Sequence, residues 1–197
     1  MNQFWNGRYS VNEYVYGTEP NAFFKEQLEK LAPGKILLPG EGEGRNAVFA
    51  AKSGWEATAF DSSTEGKRKA ENLAQKNNVN IDYKIFDYES AEFNPEEFDA
   101  IGLIYTHMNP AKRQEYHRKL VSFLKPGGIL IFEGFTKEQI NNNTGGPKNI
   151  GMLFSRSELE NDFSSLQKLE ITETDIHFKE GIFHDGKASV IRIFGMK

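Results

Sequence analysis

The stretch that most limits what this chain can become is residues 36–46, Ile-Leu-Leu-Pro-Gly-Glu-Gly-Glu-Gly-Arg-Asn. Three apolar residues run into Gly40, Gly42 and Gly44, and the Ala-rich segment Ala47–Ala51 follows and ends at Gly54. The pattern predicts a buried strand, a glycine turn and a helix closed by a glycine. Glycines at the turn allow positive φ and leave no Cβ in a ligand's way. The helix behind them points free N–H groups outward, a favourable place for an anion. In an open α/β sheet, ligands bind beyond the carboxyl ends of the strands, where this loop would lie. Gly42-x-Gly44-x-x-Ala47 fits a dinucleotide loop, with Asp61 placed as its ribose acid, and Gly40-x-Gly42-x-Gly44 equally fits a loop for S-adenosylmethionine (SAM).

The rest of the chain extends the alternation. Trp55–Phe60, 81–86, Phe98–Tyr105 and Ile129–Phe132 read as further strands, ending at Asp61, Asp87-Tyr88, Thr106-His107 and Glu133. Helices are expected from Pro20, after a capping box at Ser62-x-x-Glu65, from Pro110, and after Ser157-x-x-Glu160. Five alternations imply a parallel sheet with right-handed crossovers. Residues 169–178 and 187–194 read as two more strands, and the connection 179–186 is too short for a crossover helix, so the pair is antiparallel. Residues 4–18 are rich in aromatics without a clean period. They pack either on the domain surface or over a ligand as a lid, with Trp5, Tyr9, Tyr14 and Tyr16 offering π-faces.

Composition removes several functions. The 197 residues suffice for one domain, and no cysteine is present, which excludes thiolate metal sites, disulfides and a cysteine nucleophile. A net charge of −4 argues against a nucleic-acid partner, which needs a basic face. No apolar run approaches the ~20 residues of a membrane span, and the first residues lack a signal-peptide core. A cytoplasmic protein acting on a small molecule, with no membrane and no metal, is expected.

Among single residues, Asp61 is read as a ribose acceptor and His107 as the catalytic base, because imidazole titrates near neutrality. His117 is placed on the solvated face of its helix. Arg8, Arg45 and Lys148 are candidates to receive an anionic acceptor, and His184, near the substrate, is a second candidate for the base. The polar loop 141–149 is either a lid or a linker.

Five βα units closed by an antiparallel hairpin resemble the sheet of class I SAM-dependent methyltransferases, as do Lys125-Pro126-Gly127-Gly128 and Phe98-Asp99-Ala100-Ile101. Phe4–Tyr9, Glu13–Asn21, Gly42–Ala47 and Gly145-Gly146-Pro147-Lys148 look like a family of small bacterial methyltransferases related to the tellurite-resistance and thiopurine methyltransferases. That resemblance implies an α/β fold with a single doubly wound, Rossmann-like sheet in the order 3-2-1-4-5-7-6. It implies one domain over 1–197, with an N-terminal lid and helix (1–33) and a SAM-binding core (34–197) carrying a 141–151 loop. It implies SAM as methyl donor, S-adenosylhomocysteine as product, a small-molecule acceptor (a thiol, a chalcogen oxyanion or an amine) and a monomer or homodimer. The residues it assigns to the cofactor are Gly40, Glu41, Gly42, Gly44, Asn46, Asp61, Ser62, Ser63, Asp87, Tyr88, Tyr105 and Thr106, with Trp5, Tyr9 and Tyr16 above them. Where the family carries an acid two residues before the first glycine, this chain has Leu38 and then Pro39, so Glu41 or Glu43 is left to substitute. A protein that binds SAM without turnover, or a nicotinamide-dependent oxidoreductase, are the alternatives.

Overall fold

The computed structural model describes residues 2–181 and 183–197. Met1 and Ile182, included above in the first stretch and the last connection, lie outside the described residues. The chain forms two compact units, residues 1–92 with 180–183, and residues 93–179 with 184–197.

The first unit begins with helix α1 (Asn2–Tyr9) and helix α2 (Ala22–Leu28), then β1 (Lys35–Pro39), α3 (Arg45–Lys52), β2 (Glu56–Asp61), α4 (Thr64–Lys76) and β3 (Asp82–Ile85). The second holds β4 (Phe98–Ile104), α5 (Arg113–Ser122), β5 (Leu124–Phe135), α6 (Arg156–Asp162), β6 (Lys168–Lys179) and β7 (Asp185–Met196), with short 3-10 turns at Lys137–Asn141 and Ile150–Met152. The seven strands run in the order β3-β2-β1-β4-β5-β7-β6. β1, β2 and β3 pair in parallel, as do β4 and β5, while β5–β7 and β6–β7 are antiparallel.

β1 and β4 are buried almost throughout, the near-continuous apolar reading of parallel strands covered on both faces. Pro39 closes β1 at the end of its ladder with Phe60, where a missing N–H costs least. α4 presents Ala70, Leu73 and Ala74 inward at helical spacing. β6 is an edge strand and carries Lys168, Glu170, Glu173, Asp175 and Lys179 outward, charges that blunt an open edge.

Several local expectations are corrected. Residues 4–9 of the aromatic stretch are helical in α1, because tertiary docking on α4 overrides weak propensity. Asn6 supplies the anchor: its side-chain oxygen accepts from Ser63 Oγ at 2.7 Å and from Glu65 N at 3.3 Å. The N-cap of α4 is Ser63, not Ser62, with Oγ accepting from Gly66 N. The capping box of α6 is Ser155 with Glu158, not Ser157 with Glu160. β5 starts at Leu124, so Lys125–Gly128 lie within the strand, past a register shift opposite Phe98–Ala100. On and just after α2, Phe24 and Leu28 are buried and Phe23 and Leu31 are partly exposed.

Candidate functional site

In the first unit, β1 delivers the glycine loop and β2 delivers Asp61. Gly40, Gly42 and Gly44 all take left-handed φ, +64°, +62° and +89°. Asp61 Oδ2 accepts from Gly42 N at 3.2 Å and Oδ1 from Ser63 N at 2.9 Å, so one carboxylate ties the loop to the start of α4. Burial pushes its pKa up against those N–H bonds. Tyr83 donates from below, its hydroxyl to Gly42 O at 2.7 Å. Tyr9 covers Gly42: a Cβ there would stand 2.6 Å from the Tyr9 hydroxyl. Trp5 stacks on Tyr9 with ring centroids 5.4 Å apart, and Tyr16 meets Tyr9 edge-on.

The expectation of free helix N–H groups for an outside anion is overturned. Glu41 Oε1 accepts from Asn46 N and Ala47 N, each at 2.8 Å, so the N-terminus of α3 already holds a carboxylate of its own chain. Burial raises the Glu41 pKa to about 7.

Glu43 faces the other way. Its Oε2 accepts from Val15 N at 2.8 Å and Tyr16 N at 3.2 Å, while Oε1 meets Lys69 Nζ at 2.7 Å. Lys69 also donates to Glu13 O, and Tyr14 donates its hydroxyl to Lys69 O. Residues 13–16 are therefore a strap sewn to α4. Arg45, a candidate anion receptor, is buried and paired with Glu180 at 2.9 Å, and it also donates to Tyr16 O. Asn46 accepts from Asn21 N at 2.9 Å, and Asn21 caps α2. Arg8 donates to Tyr16 Oη at 2.9 Å beneath the rings of Phe4, Trp5 and Phe183. Ser62 is partly exposed beside Asp61. Asp87 is exposed and closes a turn on Ser90, and Tyr88 meets Phe60 edge-on.

In the second unit, the carboxyl end of β4 carries Tyr105, Thr106 and His107. Tyr105 is one of three non-glycine residues at positive φ among the described residues. Its N–H donates to Glu133 O at 2.7 Å and its hydroxyl to Glu133 Oε1 at 2.6 Å. Glu133 is fully buried, and its other oxygen pairs with Arg192. His107 Nδ1 lies 2.9 Å from Met152 O. A carbonyl only accepts, so Nδ1 carries the hydrogen and Nε2 a lone pair. That Nε2 is buried and has no hydrogen-bond partner among the described residues, and the same holds for Thr106 Oγ1. Phe135 and Phe154 lie parallel to the imidazole, and desolvation lowers its pKa to about 4, so it is neutral at pH 7. His184 is boxed by Tyr105, Phe135 and Phe178.

The loop 141–149 is pinned by Gln139, 1% exposed. Its Nε2 donates to Thr144 Oγ1 and Gly145 O, and its Oε1 accepts from Ser189 N and Asn142 Nδ2. Lys148 donates to Asn142 O at 3.1 Å. His117 is corrected from solvated to fully buried, with Nδ1 on Asp162 at 2.9 Å and Arg113 Nε on the same oxygen.

Residues 36–128 match the family model described as a methyltransferase domain. The sheet order is that of the Rossmann-like methyltransferase fold, and residues 36–128, just under half of the chain, resemble a methyltransferase domain. The chain is 27% identical over 177 residues to a ubiquinone biosynthesis O-methyltransferase of Rickettsia akari, covering 83% of this chain and 66% of that one. It is 22% identical over 146 residues to TehB of Haemophilus influenzae, a probable SAM-dependent methyltransferase, covering 73% of this chain and 49% of that one. The crystal structure of TehB superposes with a TM-score of 0.70 at 16% identity, over 100% of this chain and 66% of that one. A SAM-dependent methyltransferase of Methanosarcina mazei superposes with a TM-score of 0.68 at 18% identity, over 91% and 98%. The chain spans between 38% and 66% of the length of the curated relatives it matches first.

SAM is the cofactor this methyltransferase domain brings with it, and the first unit suits it. The Asp61 carboxylate accepts from Gly42 N and Ser63 N, which holds an acceptor group in place at the carboxyl end of β2. A dinucleotide would need the N-terminus of α3 for its pyrophosphate, and Glu41 stands there instead. SAM has no phosphate to place. The side chains the sequence did not single out are Lys69, Glu180, Gln139 and Arg192. Lys69 left a trace: it falls on the inward stripe of α4 with Ala70, Leu73 and Ala74, and a lysine there needs a buried acid.

Proposed function

We propose that the whole chain is a SAM-dependent methyltransferase of the cytoplasm acting on a small molecule. The observation that carries this reading is Glu41 on the N–H groups of Asn46 and Ala47, which closes the phosphate position of the glycine loop to a dinucleotide. The bound cofactor would supply a methyl carbon activated by a positive sulfur. The protein's part is to orient and to exclude water. Asp61 takes the ribose hydroxyls beside Gly42, with Ser62 and Ser63 at the same turn. Tyr9, with Trp5 stacked on it, keeps water from the loop. Asp87 and Tyr88 serve the adenine.

In the second unit His107 is the proton acceptor we propose for an amine or hydroxyl nucleophile. Its hydrogen is committed to Met152 O, which leaves Nε2 to accept. A thiolate or chalcogen oxyanion needs no base. Tyr105 and Thr106 line the same strand end. A pKa of about 4 makes His107 a weak base, suited to an acceptor whose proton becomes acidic as the bond to carbon forms.

Calorimetric titration with SAM, S-adenosylhomocysteine and NAD tests the reading. Micromolar binding of both sulfur compounds without NAD supports it, and NAD binding alone overturns it. His107→Ala then separates enzyme from binder: turnover of an amine or hydroxyl acceptor falls while affinity for SAM holds.

A further inference from the structure

The chain has seven arginines, and five of them meet carboxylates: Arg45 with Glu180, Arg68 with Glu65, Arg113 with Asp162, Arg156 with Glu160, and Arg192 with Glu133. Arg118 sits exposed on α5 with no such partner among the described residues. Arg8 also has none, yet it is not loose. Its guanidinium carbon lies 4.4 Å from the Phe183 ring centroid, 4.8 Å from Phe4 and 5.7 Å from Trp5. One nitrogen donates to Tyr16 Oη at 2.9 Å. Cation–π contacts within about 6 Å and one hydrogen bond fix the group, while four of its five N–H donors have no partner among the described residues.

The surroundings set this cation beside the aromatic cover of the glycine loop. Tyr9, the next residue, covers Gly42, and Tyr16 is held by Glu43 through its own N–H. Glu43 is itself neutralised by Lys69. The two other cations weighed for an anionic ligand have work already: Arg45 is in a buried pair and Lys148 is on a loop carbonyl. A planar guanidinium held still, partly exposed and without a counterion is preorganised for a carboxylate or oxyanion, which it grips with two parallel hydrogen bonds.

We infer that Arg8 is the receptor for a carboxylate or oxyanion on a small molecule bound over the glycine loop. The inference rests on the methyltransferase reading. Two sources share this chemistry: the methionyl carboxylate of the cofactor, and an anionic methyl acceptor.

The test compares wild type, Arg8→Gln and Arg8→Lys by calorimetry with S-adenosylhomocysteine and with 5′-methylthioadenosine, which lacks the carboxylate. Benzoate and selenite are then titrated into protein saturated with S-adenosylhomocysteine. If Arg8→Gln weakens S-adenosylhomocysteine tenfold or more and leaves methylthioadenosine unchanged, Arg8 reads the cofactor's carboxylate. If both adenosyl compounds bind as before and benzoate or selenite is lost, Arg8 reads the acceptor. Arg8→Lys keeps the charge without the fork and falls between. Unchanged binding of every probe in a folded Arg8→Gln overturns the inference and leaves Arg8 as a staple of α1. Near-ultraviolet circular dichroism checks that the variants fold. Wild type that binds neither adenosyl compound would instead overturn the methyltransferase reading.

Discussion

Lys69 Nζ lies 2.7 Å from Glu43 Oε1, and the two side chains are 4% and 3% exposed. The pair joins α4 to the glycine loop, and the loop's acid then holds the strap through Val15 N and Tyr16 N. Removing one partner strands a buried charge. Lys69→Met is expected to cost about 3–5 kcal/mol, and Glu43→Gln less, since its amide oxygen still accepts the strap N–H groups. Urea midpoints measure the costs. Chymotrypsin cleavage at Tyr14 and Tyr16 should accelerate in Lys69→Met, and an unchanged cleavage rate would refute the rivet.

Two glycines of one loop should respond differently to alanine. Both hold left-handed φ, a strain of roughly 1–2 kcal/mol for an L-residue. At Gly42 the new methyl meets the Tyr9 hydroxyl, the far end of a side chain that can swing. At Gly44 it meets Ala70 Cβ at 2.5 Å and Cα at 2.7 Å, in a helix backbone that cannot. Gly44→Ala should cost about 1–3 kcal/mol more than Gly42→Ala. Denaturant midpoints decide, and equal costs would mean α4 yields.

Stability against pH should reveal two opposed groups. The folded pKa of Glu41 is raised from 4.5 to about 7, so its contribution is full below pH 4.5 and is lost as pH rises to about 7. The folded pKa of His107 is lowered from 6.5 to about 4, so its contribution is full above pH 6.5 and is lost as pH falls toward 4. The slopes oppose each other across the shared range. Glu41→Gln should therefore leave stability rising with pH from 4 to 6.5, and His107→Gln should leave it falling from 4.5 to 7. Midpoints in urea at half-unit pH steps are the measurement, and parallel curves for the three proteins would sink the assignment.

The His117 cluster separates a charge from its partners. Asp162→Ala strands Arg113 and His117 Nδ1, at an expected cost of about 3–5 kcal/mol. His117→Phe removes a buried ring whose Nε2 has no partner among the described residues, sets a phenyl against Phe163, and leaves Asp162 with Arg113. It should be near neutral in thermal or urea denaturation. A large loss would show that Nε2 is satisfied in solution, by water.

Strands were the most legible part of the fold, because β1 and β4 each carry an apolar run, Ile36–Leu38 and Ala100–Ile104, that stops at the glycine loop or at Tyr105-Thr106-His107. The direction of β6 and β7 followed from a connection too short for a helix. What escaped was polar and buried. His117 looked solvated because Arg118 and Lys119 flank it, yet it shares the inward stripe of α5 with Arg113, Leu120 and Val121. Arg45 read as a cation available to an anionic acceptor, yet Glu180, 135 positions away, pairs with it, and no local pattern foretells that. α1 was unreadable because its stability comes from Asn6 on the α4 cap and not from its own composition. Among the site residues, the glycines and Asp61 announced themselves by spacing. Glu41 and Glu43 were both read as stand-ins for a missing acid; Glu41 lies on the N–H groups of Asn46 and Ala47, and Glu43 on Lys69 and Val15 N, pairings that spacing alone does not foretell.

Gln139 spends all four of its amide positions on one task, gripping Asn142, Thr144, Gly145 and Ser189. The segment from 142 to 145 therefore has no halfway state: releasing any one contact leaves the others misaimed. Its amides should exchange with deuterium as a block, on one timescale. The gap between closed and open would then be set by a single side chain and not by the length of the loop. An isosteric glutamate, unable to donate, would turn that latch into a repelling group toward Gly145 O and change the loop's tempo without changing its sequence.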